Sequence, residues 1–381
     1  MAPEATLVLV APAPFKGALS APDAARAIAA GCRLVPGVRT EAVPVADGGE
    51  GTLDALVSGL GGHVRAFPTT DPLGRPIEGA VGLAPGGFGV VELARASGYE
   101  RLTADERDPE RTSSYGTGTL IRAALDLGVR TLVVGVGGSA TNDGGLGLAL
   151  ALGARAVDGD GRVLEGVGAD LARVARLDLA GLDPRLAATD VRVACDVTSP
   201  FTGPSGATHV FGPQKGADAA ACARLEAGMT RFAEVLGGAT GTDPRGIARA
   251  GAAGGVAGGL AAIAAARLLP GAELVLDAVG FAGRLRRADL CVTGEGGLDA
   301  QSLTGKAPFA VAAAAGDAGV PCVALCGRVD LGPGRVRDAG FVAALPIGRT
   351  PRPVPDALAE TERDLAAAGA ALAGLWRAPV R

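Results

Sequence analysis

Lysine is scarce in this chain, and each lysine lies beside a glycine. Lys16, Lys215 and Lys306 are the only lysines among 36 basic residues, and arginine occupies the remaining positions. A compact ammonium beside backbone that can approach a ligand closely suits phosphate oxygens, whereas a planar guanidinium favours a bidentate partner. The pattern predicts a phosphate site assembled from distant segments. The alternative is chance placement in a chain with 61 glycines.

Two carboxylates lie three residues apart among glycines, at Asp47 and Glu50, directly after a predicted strand over residues 40–45. Glycine lets the backbone pack closely around a ligand, so this pair is suited to a magnesium ion or a substrate hydroxyl. The alternative is a plain turn in which Asp47 caps a helix.

A glycine-rich segment over residues 135–145 joins a predicted strand to a predicted helix. Successive backbone N–H groups at such a junction form a concave anion-binding nest, and nearby hydroxyls add donors. The candidate nucleotide-binding residues of this segment are Gly137, Gly138, Ser139, Thr141, Asn142 and Asp143.

The same segment also matches the loose dinucleotide pattern G-x-G-x-x-A through Gly135, Gly137 and Ala140. Asp158 ends the next extended run, where a ribose-binding acid is found in NAD enzymes. An NAD-linked hydroxy-acid dehydrogenase is therefore a competing hypothesis.

Two further segments carry charged groups after predicted strands. Asp196 follows a strand that ends at Cys195, where it is suited to act as a general base or metal ligand, with Lys215 brought near by a glycine-rich loop. Glu295 and Lys306 belong to a segment that resembles a P-loop only superficially. Ala300 and Ala307 occupy the positions that a Walker A loop reserves for Gly and for Ser or Thr.

Composition excludes several classes of protein. A net charge of -4 and an aromatic content of 3% argue against nucleic-acid binding. Six cysteines without a C-x-x-C pair fit buried free thiols in a reducing cytoplasm. The N-terminal apolar run is too short for a signal sequence, and no stretch is long enough for a membrane span, so we expect a soluble, cytoplasmic protein.

Strand and helix patterns alternate at both ends of the chain and predict a parallel sheet. They include a helix over residues 21–32 that begins after Ser20 and a strand over residues 290–293. Short extended runs over residues 64–70, 77–83 and 89–93 are separated by turn signals that leave no room for crossover helices, so antiparallel pairing is expected there. The predicted fold class is α/β. A discontinuous, doubly wound Rossmann-like domain over residues 1–62 and 288–381 receives an inserted mixed-sheet domain over residues 63–287, with the active site in the cleft between them.

Taken in order, these segments resemble the bacterial glycerate kinase family, which has a two-domain fold without a P-loop. The matching runs are ADGGEGT, SSYGTGTLI, GGSATNDGG, CDVTSP, GPQKGA, GAAGGVAGGL and TGEG. The resemblance implies transfer of the γ-phosphate of ATP to D-glycerate with Mg²⁺, with 2-phosphoglycerate favoured over 3-phosphoglycerate. This chain departs from the family pattern at two places. Ala13-Pro14 replaces the usual polar pair, and Gly297 stands where arginine is common.

Phosphoryl transfer mainly requires positioning and charge neutralisation. The lysines and the 137–143 nest are therefore expected to bind phosphates. Asp196 is the first choice for activating the acceptor hydroxyl, with Asp47 and Glu50 as metal or substrate ligands; the reverse assignment, Asp47 as base and Asp196 on magnesium, is left open. Arg75 is a candidate partner for the glycerate carboxylate, with a solvated turn arginine as the alternative.

Three hypotheses follow from the sequence: a kinase acting as a monomer or homodimer, an NAD-linked dehydrogenase, and a non-catalytic nucleotide-binding protein in which the departures at Ala13-Pro14 and Gly297 have removed activity.

Overall fold

The computed structural model describes residues 5–300 and 306–378. The chain forms two compact units. The first unit comprises Met1–Asp47, Asp54–Gly61 and Ala272–Arg381, and the second comprises Gly48–Leu53 and Gly62–Gly271.

The strands are, in chain order, β1 (Thr6–Val10), β2 (Val38–Ala42), β3 (His63–Thr70), β4 (Pro76–Ala84), β5 (Phe88–Glu92), β6 (Thr131–Gly135), β7 (Arg155–Val157), β8 (Arg176–Asp178), β9 (Asp190–Ala194), β10 (Arg267–Leu269), β11 (Leu290–Thr293), β12 (Gly297–Leu298), β13 (Cys322–Cys326), β14 (Arg328–Val329) and β15 (Ala343–Pro346).

The α-helices are α1 (Ala21–Cys32), α2 (Thr52–Leu60), α3 (Ala94–Ser97), α4 (Tyr115–Asp126), α5 (Leu146–Ala151), α6 (Ala207–Phe211), α7 (Ala219–Thr240), α8 (Val256–Ala264), α9 (Gly271–Ala278), α10 (Phe281–Leu285), α11 (Ala307–Asp317), α12 (Pro333–Asp338), α13 (Val354–Ala359) and α14 (Thr361–Arg377).

The first unit contains a parallel sheet with the strand order β15-β13-β11-β1-β2. Its interior strand β1 is a run of β-branched and leucine side chains, and Val8 and Val10 are fully buried. Because parallel strands are buried on both faces, such near-continuous apolar runs are what this architecture requires. The predicted parallel sheet is confirmed.

The second unit contains a mixed sheet with the order β10-β9-β6-β5-β4-β3. β3, β4 and β5 pair antiparallel, as the closely spaced turn signals predict, and β5, β6, β9 and β10 run parallel to one another. The α/β class with one parallel and one mixed sheet is therefore confirmed.

Helix α1 begins at the residue that the sequence indicates. Ser20 is its N-cap, and the Ser20 hydroxyl accepts a hydrogen bond from the backbone N–H of Asp23. Small residues line the face that packs on α14, and a Cβ at Gly31 would clash with the backbone carbonyl of Ala366. Small side chains therefore set the close approach of these two helices.

The segment before β11 differs from its sequence-based placement in the inserted domain. Residues 272–287 pack within the first unit, where the Arg284 guanidinium bonds to the Glu41 carboxylate at 2.6 Å and to the Gly59 carbonyl at 3.2 Å. Apolar side chains of the segment are buried as well, among them Val275, Phe281 and Leu285.

All six cysteines are buried and free, as expected. In residues 5–300 and 306–378, no helix combines the length and apolar character needed to cross a membrane.

The α1–α14 contact yields the first prediction. Gly31→Ala is expected to lower the free energy of unfolding by about 1–3 kcal/mol, because overpacking forces the helices apart. Gly316→Ala is the control: this helical glycine has open space around it, and we expect a gain of about 0.5–1 kcal/mol. Trp376, the sole tryptophan, lies in α14 and reports denaturant unfolding by fluorescence. Equal effects of the two substitutions would contradict the proposed clash.

Candidate active site

The second unit brings several predicted segments to one sheet edge. β5, β6, β9 and β10 are parallel neighbours, so their carboxyl ends lie on the same side of the sheet. Ligands in open α/β sheets gather outside that edge. The loop of residues 136–145 follows β6, and Asp196 follows β9.

Two glycine-rich segments are in backbone contact at this edge. The Gly137 N–H donates to the Gly48 carbonyl at 3.2 Å, and a Cβ at Gly137 would lie 2.5 Å from the Gly49 Cα. Gly48 has a φ of +91°, and a Cβ there would lie 2.7 Å from the Ala194 carbonyl oxygen. Only glycine permits both approaches, so these residue types fix the geometry of the edge.

The loop after β6 buries several polar side chains. Ser139 is 8% exposed, and Thr141 and Asn142 are fully buried. The Asn142 amide donates to the Thr208 hydroxyl at 3.1 Å. Within the described residues, Thr141 Oγ1 and Asn142 Oδ1 have no hydrogen-bond partner. Buried polar atoms are rarely left in this state, so these two atoms are open to a bond with a further group.

Asp143 holds the loop in place. Its carboxylate accepts hydrogen bonds from the Ser114 N–H and hydroxyl, each at 2.7 Å, and from the N–H groups of Gly145 and Gly147. Complete burial raises the pKa of Asp143, and these four donors oppose that shift. These bonds engage the carboxylate inside the unit, and its contact with a nucleotide stays a prediction.

Lys215 is buried although lysine normally lies in solvent. Its side chain is 3% exposed, and Nζ donates to Ser139 Oγ at 2.8 Å and to the Thr141 carbonyl at 2.7 Å. Burial lowers the pKa of Lys215 to about 7, and the charge of Asp143 opposes that shift. Lys215 thus bonds to the loop that follows β6, and its expected proximity to Asp196 stays a prediction.

Asp196 is half-buried at the carboxyl end of β9, and its Oδ1 accepts the Gly271 N–H at 2.8 Å. The Arg249 guanidinium donates to the carbonyls of Cys195 and Val197, on either side of it. These bonds fix the backbone that presents the carboxylate.

Glu50 and Arg75 are less engaged with this edge. Glu50 is exposed. Arg75 is held by carboxylates, with Nε 2.5 Å from Asp71 Oδ2 and Nη1 2.5 Å from Glu106 Oε1. Its donors are thus already directed to protein groups.

Sequence reasoning missed one acid at the edge. Glu92 ends β5, is 2% exposed, pairs with Arg95 at 2.8 Å and accepts the Leu53 N–H at 3.2 Å. An acid ending an otherwise apolar strand was the available signal.

The first unit gathers a second set of candidates at the carboxyl edge of its own sheet. Lys16 is exposed in the turn after β1, and a Cβ at Gly296 would lie 3.7 Å from the Lys16 backbone nitrogen. Lys306 is the N-cap of α11, and its Nζ is 3.9 Å from Glu295 Oε2. Asp47 is half-buried in the same unit. Convergence of the two sets on one ligand stays a prediction.

The contact between the glycine segments gives the second prediction. Gly137→Ala is expected to weaken ATP binding by about tenfold or more, because a Cβ displaces the loop from Gly49 by a fraction of an ångström or more. The measurement is calorimetric titration with ATP. Gly238→Ala, on an open face of α7, is the control and is expected to leave affinity unchanged. Unchanged affinity in Gly137→Ala would contradict the assignment of the loop.

The third prediction concerns pH. Between pH 7 and 10.5 the unfolded chain keeps a proton on Lys215 that the folded chain has lost, so folding stability rises with pH in that window. The unfolding free energy of the wild type, minus that of Lys215→Met, should therefore increase from pH 7 to pH 10. Urea unfolding followed by circular dichroism measures it, and a flat difference would show that burial does not lower the pKa.

Comparison with known proteins agrees with the sequence motifs. The family model described as "Glycerate kinase family" matches residues 8–377. The chain is 42% identical to the glycerate kinase of Bacillus subtilis, over 94% of this chain and 97% of the relative. It is 40% identical to the glycerate 2-kinase of Escherichia coli, over 89% and 90% of the two chains.

A solved structure extends the comparison to the fold. The crystal structure is of a Salmonella typhimurium LT2 protein that carries the provisional name glycerate kinase 2. It matches with a TM-score of 0.90 and 38% identity, over 98% of this chain and 99% of that one. Since the family match covers nearly the whole length, the chain belongs to the glycerate kinase family.

Proposed function

We propose that this enzyme transfers the γ-phosphate of ATP to D-glycerate and releases 2-phosphoglycerate. The observation that carries the proposal is the glycine-lined loop of residues 137–143 at a sheet edge, in a chain 42% identical to a glycerate kinase. The choice of the 2-phosphate follows the name of the Escherichia coli relative, a glycerate 2-kinase.

The loop binds the phosphates through backbone N–H groups and buried side chains. Thr141 Oγ1 and Asn142 Oδ1 lack partners in the described structure, and the hydroxyl can donate to a phosphate oxygen. Lys16 and Lys306 are the further candidate cations for phosphate, and Lys306 pairs with Glu295 at 3.9 Å. Neutralising charge in this way is the main demand of phosphoryl transfer.

Asp196 is our candidate for accepting the proton of the attacking glycerate hydroxyl. Its Oδ1 is held by the Gly271 N–H, which orients the carboxylate at the sheet edge. A base must be positioned before its pKa matters, and this anchoring supplies the position. The alternative, Asp47 as the base with Asp196 holding the metal ion, is kept within the proposal.

Mg²⁺ fits the side chains that are present. Among residues 5–300 and 306–378, no three His, Cys, Asp or Glu side chains cluster to hold a metal ion. Mg²⁺ is usually bound by one or two carboxylates together with substrate phosphates and water, so such a cluster is not required. Asp196, Asp47 and Glu50 are the candidate ligands. When bound, the ion neutralises charge on the phosphates.

The glycerate carboxylate needs a cation, and two arginines are candidates. Arg75 is already paired with Asp71 and Glu106. Arg328 lies beside the position where the family commonly has arginine: a Cβ at Gly297 would lie 3.8 Å from Arg328 Nη2. A guanidinium is thus retained near that position although residue 297 has lost its side chain.

The dehydrogenase hypothesis has less support. Asp158, its expected ribose ligand, accepts the N–H groups of Asp160 and Arg162 and pairs with Arg173 at 3.0 Å. Its carboxylate stabilises its own turn.

The fourth prediction tests the proposed function. Purified enzyme with ATP, Mg²⁺ and D-glycerate is expected to form ADP only when glycerate is present, and ³¹P spectra should show the 2-phosphate. Asp196→Asn should lower kcat by about 10²-fold or more, because it removes the proton acceptor. Asp160→Asn, which alters an exposed carboxylate, should keep wild-type kcat.

Three outcomes would contradict parts of this proposal. Glycerate-dependent reduction of NAD without ADP formation would replace the kinase with a dehydrogenase, and ATP binding without turnover would leave a nucleotide-binding protein. A fully active Asp196→Asn enzyme would remove Asp196 from the mechanism and leave Asp47 as the base.

A further inference from the structure

Lys215 reaches the glycine-rich loop from a separate, rigid part of the second unit. It ends the 3-10 turn Pro213–Lys215, which follows α6. The next residue, Gly216, has a φ of +103°, and a Cβ there would clash with the Arg107 carbonyl. Any other residue would be strained and displaced at this position, so the turn that carries Lys215 is fixed against its neighbour.

The ammonium group of Lys215 bonds to the loop at two points. Its acceptors, Ser139 Oγ and the Thr141 carbonyl, lie on either side of Ala140, 76 and 74 residues away in sequence. Below its pKa of about 7, Lys215 is protonated, and its hydrogen bonds are then charge-assisted and stronger than neutral ones. The backbone of the loop is therefore tied to a fixed turn at its centre.

Asp143 ties the same loop at its end. Its carboxylate bonds to Ser114 at the start of α4 and to the N–H groups of Gly145 and Gly147. Between these two anchors lie Thr141 Oγ1 and Asn142 Oδ1, the buried atoms that lack partners within the described chain. A loop held at both sides keeps such atoms in place before a ligand arrives.

Burying an ammonium costs free energy, and an apolar side chain of similar length would avoid that cost. With 3% of its surface exposed, Lys215 has little area left for a ligand. Two of the three N–H groups of its ammonium already donate hydrogen bonds to the loop. These facts point to an indirect role.

We propose that Lys215 is a positioning residue that acts on the phosphates of ATP through the 137–143 loop, without contacting them. This inference rests on the proposed function, because it assumes that the loop binds ATP. If Lys215 acts through the loop, the effects of changing Lys215 and Ser139 on ATP binding should not be independent. If Lys215 contacts phosphate directly, they should be.

The test is a double-mutant cycle. At about pH 6, where Lys215 is mostly protonated, Lys215→Met should raise the KM for ATP about tenfold or more, the worth of hydrogen bonds to a charged group, while the KM for D-glycerate changes less than about twofold. Ser139→Ala should raise the KM for ATP by a smaller factor. The double variant should resemble Lys215→Met alone, because both changes remove the same bond. The proposal would be overturned if the increases in KM for ATP in the two single variants multiply in the double variant. It would also be overturned if Lys215→Met leaves the KM for ATP unchanged.

A spectroscopic measurement keeps the proposal testable if Lys215→Met does not fold. Because the chain has only three lysines, protein labelled with ¹³C at lysine Cε gives three such signals. Lys215→Arg identifies the Lys215 signal by its loss. We expect that signal to titrate near pH 7 in the wild type and at lower pH in Ser139→Ala, which removes an acceptor that favours the charged form.

A titration at saturating nucleotide distinguishes failure of the positioning role of Lys215 from failure of the proposed function. Under our proposal, a non-hydrolysable ATP analogue leaves the midpoint of the Lys215 signal nearly unchanged, because no phosphate oxygen reaches the ammonium. A rise of more than about one pH unit would indicate direct contact with phosphate and overturn the positioning role. Absence of glycerate-dependent ADP formation would instead refute the proposed function, and calorimetric ATP affinities of the same variants would still decide the role of Lys215.

Discussion

The candidate site of the second unit depends on one contact between two backbones. Gly137 meets Gly48 and Gly49 so closely that a single Cβ at residue 137 would lie 2.5 Å from the next chain. That contact places the segment after β6 against the segment that leads into α2, at the carboxyl ends of the parallel strands. The polar side chains of the candidate site lie around these two glycine segments. The high glycine content of the motifs is therefore a steric requirement before it is a functional one.

Polar burial is the second constraint on the site. Lys215, Asp143, Ser114 and Asn142 are all at most 3% exposed, in a region that would be more stable if it were apolar and well packed. Protein loops that must bind anions commonly carry this kind of cost, since a preorganised donor set cannot relax when the charge arrives. The apolar clusters on either side of the sheet offset it, with Leu132, Val134 and Val193 in one of them.

Sequence patterns predicted the elements better than the roles of individual residues. The helix over 21–32 and the strand over 290–293 have the predicted ends, because a capping serine and an uninterrupted apolar run are local signals. The burial of Lys215 and the engagement of Asp143 arise from partners 29 to 76 residues away, and no local pattern records such partners. Glu92 was missed although a local signal, an acid at the end of an apolar strand, was present. Glycine spacing identified the loop, but only packing shows which glycines are sterically required.

The strand order of the first unit has a consequence for biosynthesis. β1 lies inside the sheet between β2 and β11, yet β11 begins at Leu290, and the β1 residue Leu7 bonds to Asp289, 282 residues further along. At a translation rate of about 5–20 residues per second, β1 waits roughly 14 to 56 s for that neighbour to emerge from the ribosome. The intervening unit has the material to fold during that interval. A newly made N-terminal segment with an unpaired apolar strand is a natural client for chaperones that hold nascent chains.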